Sequence, residues 1–131
     1  MTILIGVDLQ EIDQVQESME NFGEHYVRRI YTGYEIEDCG RNPKRVAGAL
    51  ASRFAAKEAM FKILREGSGV ATWKDVEVRR LETGQPVIAL WGVAAQLAHR
   101  QGIASISLSL SQSGGIAVAV VVADGEAETN E

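Results

Sequence analysis

The spacing of apolar and polar residues changes several times along the chain, and each change marks an element. Ile3-Leu4-Ile5-Gly6-Val7 is a nearly unbroken apolar run, so residues 2–8 are expected to form a buried strand ending at Asp8. From Asp8 to about Phe22 the residues Leu9, Ile12, Val15, Met19 and Phe22 recur at steps of three and four, the spacing of one helix face. His25 to Ile30 reads as a second short helix, broken near Thr32-Gly33, and residues 35–43 as a polar connection. The longest helix is expected from Pro43 or Lys44 to Leu64. Pro43 suits a first turn, where an amide hydrogen is not needed, and Val46, Leu50, Phe54, Phe61 and Leu64 supply an apolar stripe. Gly67-Ser68-Gly69 ends that helix in a loop.

Beyond the loop the period shortens. Trp73 to Leu81 sets Val76 and Val78 against Glu77 and Arg79, the alternation of a strand. A turn at Thr83-Gly84-Gln85-Pro86 leads to a second strand, Val87 to Leu90, and Gly92 to Arg100 reads as a helix closed by Gly102. Ser105, Ser107, Ser109 and Ser111 alternate with Ile106, Leu108 and Leu110, which puts every serine on one face of a strand. Ser113-Gly114-Gly115 then turns the chain into a partner strand, Ile116 to Ala123. The order β-α-α-α-β-β-α-β-β, with hairpin-linked strands, predicts an α+β fold: an antiparallel sheet packed by helices, one of them long and central. One domain over residues 1–123 and an acidic tail without fixed structure over 124–131 complete this reading.

Composition narrows the function. The 131 residues, 46% hydrophobic and 24% charged, suit a single soluble globular domain. No secretory leader or membrane span is read from the sequence, and the lone Cys39 fits a reducing cytoplasm. With His25, His99 and Cys39 as the only usual ligands, a zinc site is not expected. A net charge of −5 argues against nucleic acid as a partner. The charge is uneven, however: from Arg41 to Lys62 the bases Arg41, Lys44, Arg45, Arg53, Lys57 and Lys62 meet Glu58 as the sole acid. Such a region suits an anionic small molecule or an acidic partner surface, and equally an ordinary solvated helix face.

The chemistry centres on two carboxylates. Asp8 at a strand end and Glu58 on a helix lined with bases suit Mg²⁺ held together with a phosphorylated ligand, since magnesium takes few protein carboxylates and fills its octahedron with water and phosphate oxygens. Each has a plainer reading. Asp8 before a helix is an ordinary N-cap, and Glu58–Lys62 is an i,i+4 surface ion pair. Arg53 and Lys57 are a like-charged i,i+4 pair that an anion would relieve. The serine face lacks a base in a triad context, and Trp73 and Trp91 read as core or interface anchors.

Taken together the residues resemble the small holo-acyl-carrier-protein synthases, the short class of 4′-phosphopantetheinyl transferases. The likeness spans Ile3 to Ala123. It rests on Ile5-Gly6-Val7-Asp8, Tyr31-Thr32-Gly33-Tyr34-Glu35 and Arg53-Phe54-Ala55-Ala56-Lys57-Glu58-Ala59 with Lys62 following. Trp73-Lys74-Asp75-Val76-Glu77-Val78, Gly84-Gln85-Pro86 and the Ser109-Leu110-Ser111 strand extend it. The resemblance implies transfer of the 4′-phosphopantetheine arm of coenzyme A to a serine of an apo-acyl carrier protein, with adenosine 3′,5′-bisphosphate released. By the same match Asp8 and Glu58 hold Mg²⁺, Glu58 takes the serine proton and Lys62 steadies the pyrophosphate. Lys44, Arg45 and Arg53 meet the 3′-phosphate and nearby groups, while Gly67, Gly84 and Pro86 wall the ligand. Gln112 stands where many relatives carry His, and Gln14 where a base is common; Arg65-Glu66 replaces a glycine-containing turn. A homotrimer with sites between subunits is implied, with Arg28, Arg29 and Arg41 as the surface that meets an acidic carrier of fatty-acid or polyketide synthesis. The alternatives are a trimeric coenzyme A-binding module without efficient transfer and a purely structural interaction domain.

Overall fold

In the computed structural model of the protein, residues 2–65 and 71–125 are described. Strand β1 (Thr2–Glu11) begins the chain, and its side chains alternate strictly. Ile3, Ile5, Val7 and Leu9 face outward, while Leu4, Gly6 and Asp8 face the helical layer. This corrects two expectations. The strand is covered on one side only, and it runs three residues past Asp8, so Leu9 belongs to its outer face and not to a helical stripe. The extension has a cause in pairing: β1 lies antiparallel to β5 (Ile116–Gly125) from Thr2↔Gly125 to Glu11↔Ile116, and Ile12 donates its N–H to Gly115 O at 2.9 Å.

Helix α1 (Ile12–Ile30) follows and bends at Gly23, whose φ of 54° lies in the left-handed region that glycine tolerates. The two helices expected over 8–22 and 25–30 are the halves of this bent element, starting at Ile12. Where the sequence predicts a break near Thr32-Gly33 and a polar connection over 35–43, residues 33–39 form helix α2 (Gly33–Cys39). Its start carries a capping box: Glu35 N–H donates to Thr32 Oγ1 at 3.2 Å and Thr32 N–H donates to Glu35 Oε1 at 2.9 Å.

Helix α3 (Val46–Ile63) is the centre of the molecule. It is buried around most of its circumference, with Ala51, Ala55, Ala56, Ala59 and Met60 inaccessible, in place of the single stripe read from the sequence. Small side chains let the sheet come close. A Cβ on Gly6 would sit 2.0 Å from Ala59 O, so only glycine allows β1 to lie on α3 at this point. After a 3₁₀ turn (Trp73–Asp75), β2 (Val76–Arg80) and β3 (Pro86–Leu90) form a separate antiparallel hairpin, and helix α4 (Gly92–Arg100) leads to β4 (Ser105–Ser113). The main sheet has the order β1-β5-β4, wholly antiparallel. Its inner face (Leu108, Ala119, Val121, Ala123) packs on α3 with Val76, Val78 and α4. The serines of β4 do share the outer face, and β5 continues to Gly125, two residues into the stretch read as an acidic tail. Residues 126–131 of that stretch lie outside the described residues.

Candidate active site

Because β1 alternates with a period of two, Asp8 points the same way as Gly6, toward α3. Gly6 meets α3 at Ala59, so the next inward residue arrives beside Glu58 and Lys62. Lys62 Nζ donates to Val7 O at 2.7 Å and to Asp8 Oδ1 at 3.2 Å. The plainer readings of both acids therefore fail. Asp8 is a strand residue and caps no helix, and Lys62 is engaged by Asp8 and not by Glu58. Glu58 makes no ion pair among the described residues, yet it feels its neighbours. Partial burial, then the nearby Asp8 carboxylate, push its carboxyl above the usual range, and the Lys62 ammonium opposes them. Two carboxylates from distant parts of the chain thus lie near enough to influence one another, with the Lys62 ammonium against Asp8.

Among the described residues no group of three or more Asp, Glu, His or Cys side chains is placed to hold a metal ion. A site of two carboxylates is too sparse for structural zinc or an all-protein calcium cage, and it matches the oxygen-only, partly hydrated demands of magnesium beside a phosphate.

A second group of side chains surrounds a cavity of about 450 Å³ at the N-terminal end of α3. Lys44, Arg45, Arg53 and Gln112 line it, as does Arg80, which sequence reasoning missed. Gln112 reaches from β4 to α3, donating from Nε2 to Gly48 O and Ser52 Oγ, both at 3.0 Å. A Cβ on Gly48 would come within 2.6 Å of Gln112 Oε1, so a side chain there would displace the Gln112 amide. Arg53 is buried; its Nη2 donates to Asp38 Oδ2 at 2.7 Å and its Nη1 to Ala49 O at 3.1 Å. Gly84 and Pro86 sit at the β2–β3 turn rather than among these lining residues. Their link to the cavity runs through Arg80, which pairs with Pro86 in the hairpin and reaches Gly84 O from Nη1 at 3.5 Å. Gly67 lies outside the described residues.

The remaining expected positions are peripheral. Arg28 and Arg29 are exposed on the last turn of α1, Arg28 within 3.5 Å of Glu24, and Arg41 is exposed between α2 and α3. Gln14 accepts from Gln10 Nε2 at 3.2 Å and borders a recess of about 240 Å³ with Tyr26, Phe54 and Trp73.

Sequence reasoning also missed what supports the site. Lys57 has no solvent exposure and donates to Glu35 Oε1 at 2.7 Å, to Trp73 O at 3.1 Å and to Val76 O. Glu35 Oε2 accepts from Val78 N–H at 2.8 Å. Burial pulls the Lys57 ammonium below its usual pKa, and the Glu35 carboxylate pulls the other way. The pair ties α2, α3 and β2 together one residue before Glu58. The Thr32-x-x-Glu35 pattern was the available signal.

The chain is similar to proteins of one known family. A profile of the 4′-phosphopantetheinyl transferase superfamily matches residues 4–121. The holo-[acyl-carrier-protein] synthase of Desulforudis audaxviator is 41% identical over 129 residues, covering 98% of each chain. That of Solibacter usitatus is 40% identical over 124 residues, covering 93% of this chain and 98% of the relative. The crystal structure of Helicobacter pylori holo-[acyl-carrier-protein] synthase in complex with coenzyme A superposes with a TM-score of 0.80 at 29% identity, covering 92% of this chain and 100% of that one.

Proposed function

Since the chain belongs to the 4′-phosphopantetheinyl transferase superfamily, among the holo-[acyl-carrier-protein] synthases, we propose that it moves the phosphopantetheine arm of coenzyme A onto an apo-acyl carrier protein in a Mg²⁺-dependent reaction. The observation that carries this reading is the convergence of Asp8, Glu58 and Lys62. In the reaction the carrier's serine oxygen attacks the phosphorus that bears pantetheine. The bond to the bridging oxygen breaks, and adenosine 3′,5′-bisphosphate leaves with that oxygen. Glu58, its carboxyl pushed above the usual range and in no ion pair among the described residues, accepts the serine proton. Asp8 and Glu58 would hold the metal, whose charge neutralises the pyrophosphate oxygens. Lys62 is half-exposed and contacts Asp8 loosely, so its ammonium can turn to the leaving phosphate. Lys44, Arg45, Arg53 and Gln112 take the 3′-phosphate end.

Coenzyme A and an acidic carrier are then the partners, with Arg28, Arg29 and Arg41 speeding encounter. We place the enzyme in the cytoplasm, where both are used; among the described residues no helix is long and apolar enough to cross a membrane. The exposed outer face of the main sheet supports a homotrimer. Ile5 lies opposite Val122, Val7 opposite Val120 and Leu9 opposite Val118, and the serines of β4 flank this apolar band.

The test is to incubate the protein with apo-carrier, coenzyme A and Mg²⁺ and to weigh the carrier. A mass gain equal to one phosphopantetheine, abolished by chelation, is expected. Coenzyme A binding without any gain would leave the binding-module reading in its place.

A further inference from the structure

The basic cavity holds more positive charge than its own acids balance. Lys44, Arg45, Arg53 and Arg80 line it, and two carboxylates are near: Asp13 in the wall, and Asp38 behind Arg53 and Arg80. Asp38 uses one oxygen for both guanidiniums, accepting from Arg53 Nη2 at 2.7 Å and from Arg80 Nε at 3.0 Å. Four cations against two carboxylates leave a surplus of two positive charges, on a protein whose net charge is −5. Donors remain unused as well. Arg53 Nε is buried without an acceptor among the described residues, and Arg80 Nη2 has no protein partner there. The first turn of α3 borders the cavity through Ala47 and Gly48, and Arg45 gives it no side-chain cap, so the positive end of the helix adds to the surplus.

A surplus of two charges with unused guanidinium donors matches a phosphomonoester dianion better than a diester or a carboxylate. On coenzyme A the 3′-phosphate is the only phosphomonoester; both pyrophosphate units are esterified. We propose that Arg80 is a specificity-determining contact for the 3′-phosphate of coenzyme A, and that Asp38 positions it beside Arg53. This rests on the coenzyme A reading above and adds to it a residue from the β2–β3 hairpin. The arrangement is economical in geometry. Arg53 is fixed in the core, and the half-exposed Arg80 is brought to the same spot because both lean on one carboxylate oxygen. Planar guanidiniums suit this role, since an Nε–H can hold the carboxylate while the terminal nitrogen turns to phosphate.

The experiment is calorimetry on the full chain with coenzyme A and with 3′-dephospho-coenzyme A, for the wild type, Arg80→Met, Asp38→Asn and Asp38→Glu. The wild type should prefer coenzyme A. Loss of a charge-assisted contact in Arg80→Met should weaken coenzyme A binding about ten- to a hundred-fold, while the dephospho ligand moves by less than about twofold, within the range of a surface substitution. Asp38→Asn should cut the same preference, with partial rescue by Asp38→Glu. Arg80 is half-exposed, so Arg80→Met tests the idea even if Asp38→Asn does not fold. A wild-type preference retained in full by Arg80→Met overturns the assignment and leaves the transferase reading standing. A wild type that binds neither ligand, or both equally, overturns the placement of the 3′-phosphate itself.

Discussion

At the scale of single residues, Glu58 carries the sharpest consequence. Its carboxyl is pushed up by partial burial and by Asp8, so in the folded, metal-free protein its ionisation is disfavoured. The sign for stability follows. A folded-state value above the unfolded one favours the native state at low pH, and that benefit is lost as pH rises through the raised value. Glu58→Gln cannot ionise and keeps the benefit. In chelator, the variant should therefore melt at or above the wild type at neutral pH, and the two should converge below about pH 4, near the ordinary Glu value. The same variant should transfer no phosphopantetheine, and Mg²⁺ with coenzyme A should no longer raise its melting temperature. Thermal melts across pH, with and without Mg²⁺, together with the carrier mass assay, check both halves. Retained transfer would remove Glu58 from the chemistry.

Elements place these residues, and here the reach of sequence reasoning divides cleanly. The partnership of Asp8 with Glu58 and Lys62 was legible, because Arg53-Phe54-Ala55-Ala56-Lys57-Glu58-Ala59 and Ile5-Gly6-Val7-Asp8 form a set whose order is specific. The strand that carries Asp8 was read correctly at its start and misread at its C-terminal end and in its faces. An apolar outer face looks, in sequence, like burial on both sides, and Leu9-x-x-Ile12 has helical spacing although the first belongs to a strand and the second to a helix. The Glu35–Lys57 pair escaped because residues 22 apart reveal nothing of their contact until α2 exists. That pair yields a prediction for the element it supports. Glu35→Gln would leave the wholly buried Lys57 ammonium without its counter-ion, which costs about 3–5 kcal/mol for broken buried pairs. Urea unfolding should show a loss of that size, and Glu35→Gln with Lys57→Met should recover a large part of it. Equal stability of the wild type and Glu35→Gln would mean the ammonium is already satisfied by Trp73 O and Val76 O.

Gly6 joins strand to helix, and a side chain there meets backbone, which cannot rotate away. Gly6→Ala should force β1 off α3 at Ala59, at about 1–3 kcal/mol, the usual cost of overpacking. Because Asp8 lies two residues on, the same shift separates it from Glu58 and Lys62. Transfer should therefore fall by more than stability does, measured as kcat/KM against urea midpoint. A variant that loses stability but keeps full turnover would show that the two carboxylates do not depend on this contact.

For the whole molecule the unbalanced feature is the outer face of the β1-β5-β4 sheet. Ile5 is 64% exposed and Leu9 65%, side by side with Val118, Val120 and Val122 on the neighbouring strand. A lone exposed leucine would need no account, but a contiguous apolar band on one sheet face is the mark of a surface that is covered. Asp8 emerges on the opposite side of the same strand, so whatever covers Ile5 and Val7 also bears on the strand that holds one of the two metal candidates. Ile5→Glu separates the possibilities. In a monomer the change is a surface substitution worth about half a kcal/mol or less. Against a second copy it buries an unpaired carboxylate at every contact around the axis, and assembly should fail. If the proposed homotrimer forms through this face, sedimentation should show trimers for the wild type and monomers for Ile5→Glu, with transfer lost alongside. Trimers that persist in Ile5→Glu would place the subunit contact elsewhere and leave this band without its assigned cover.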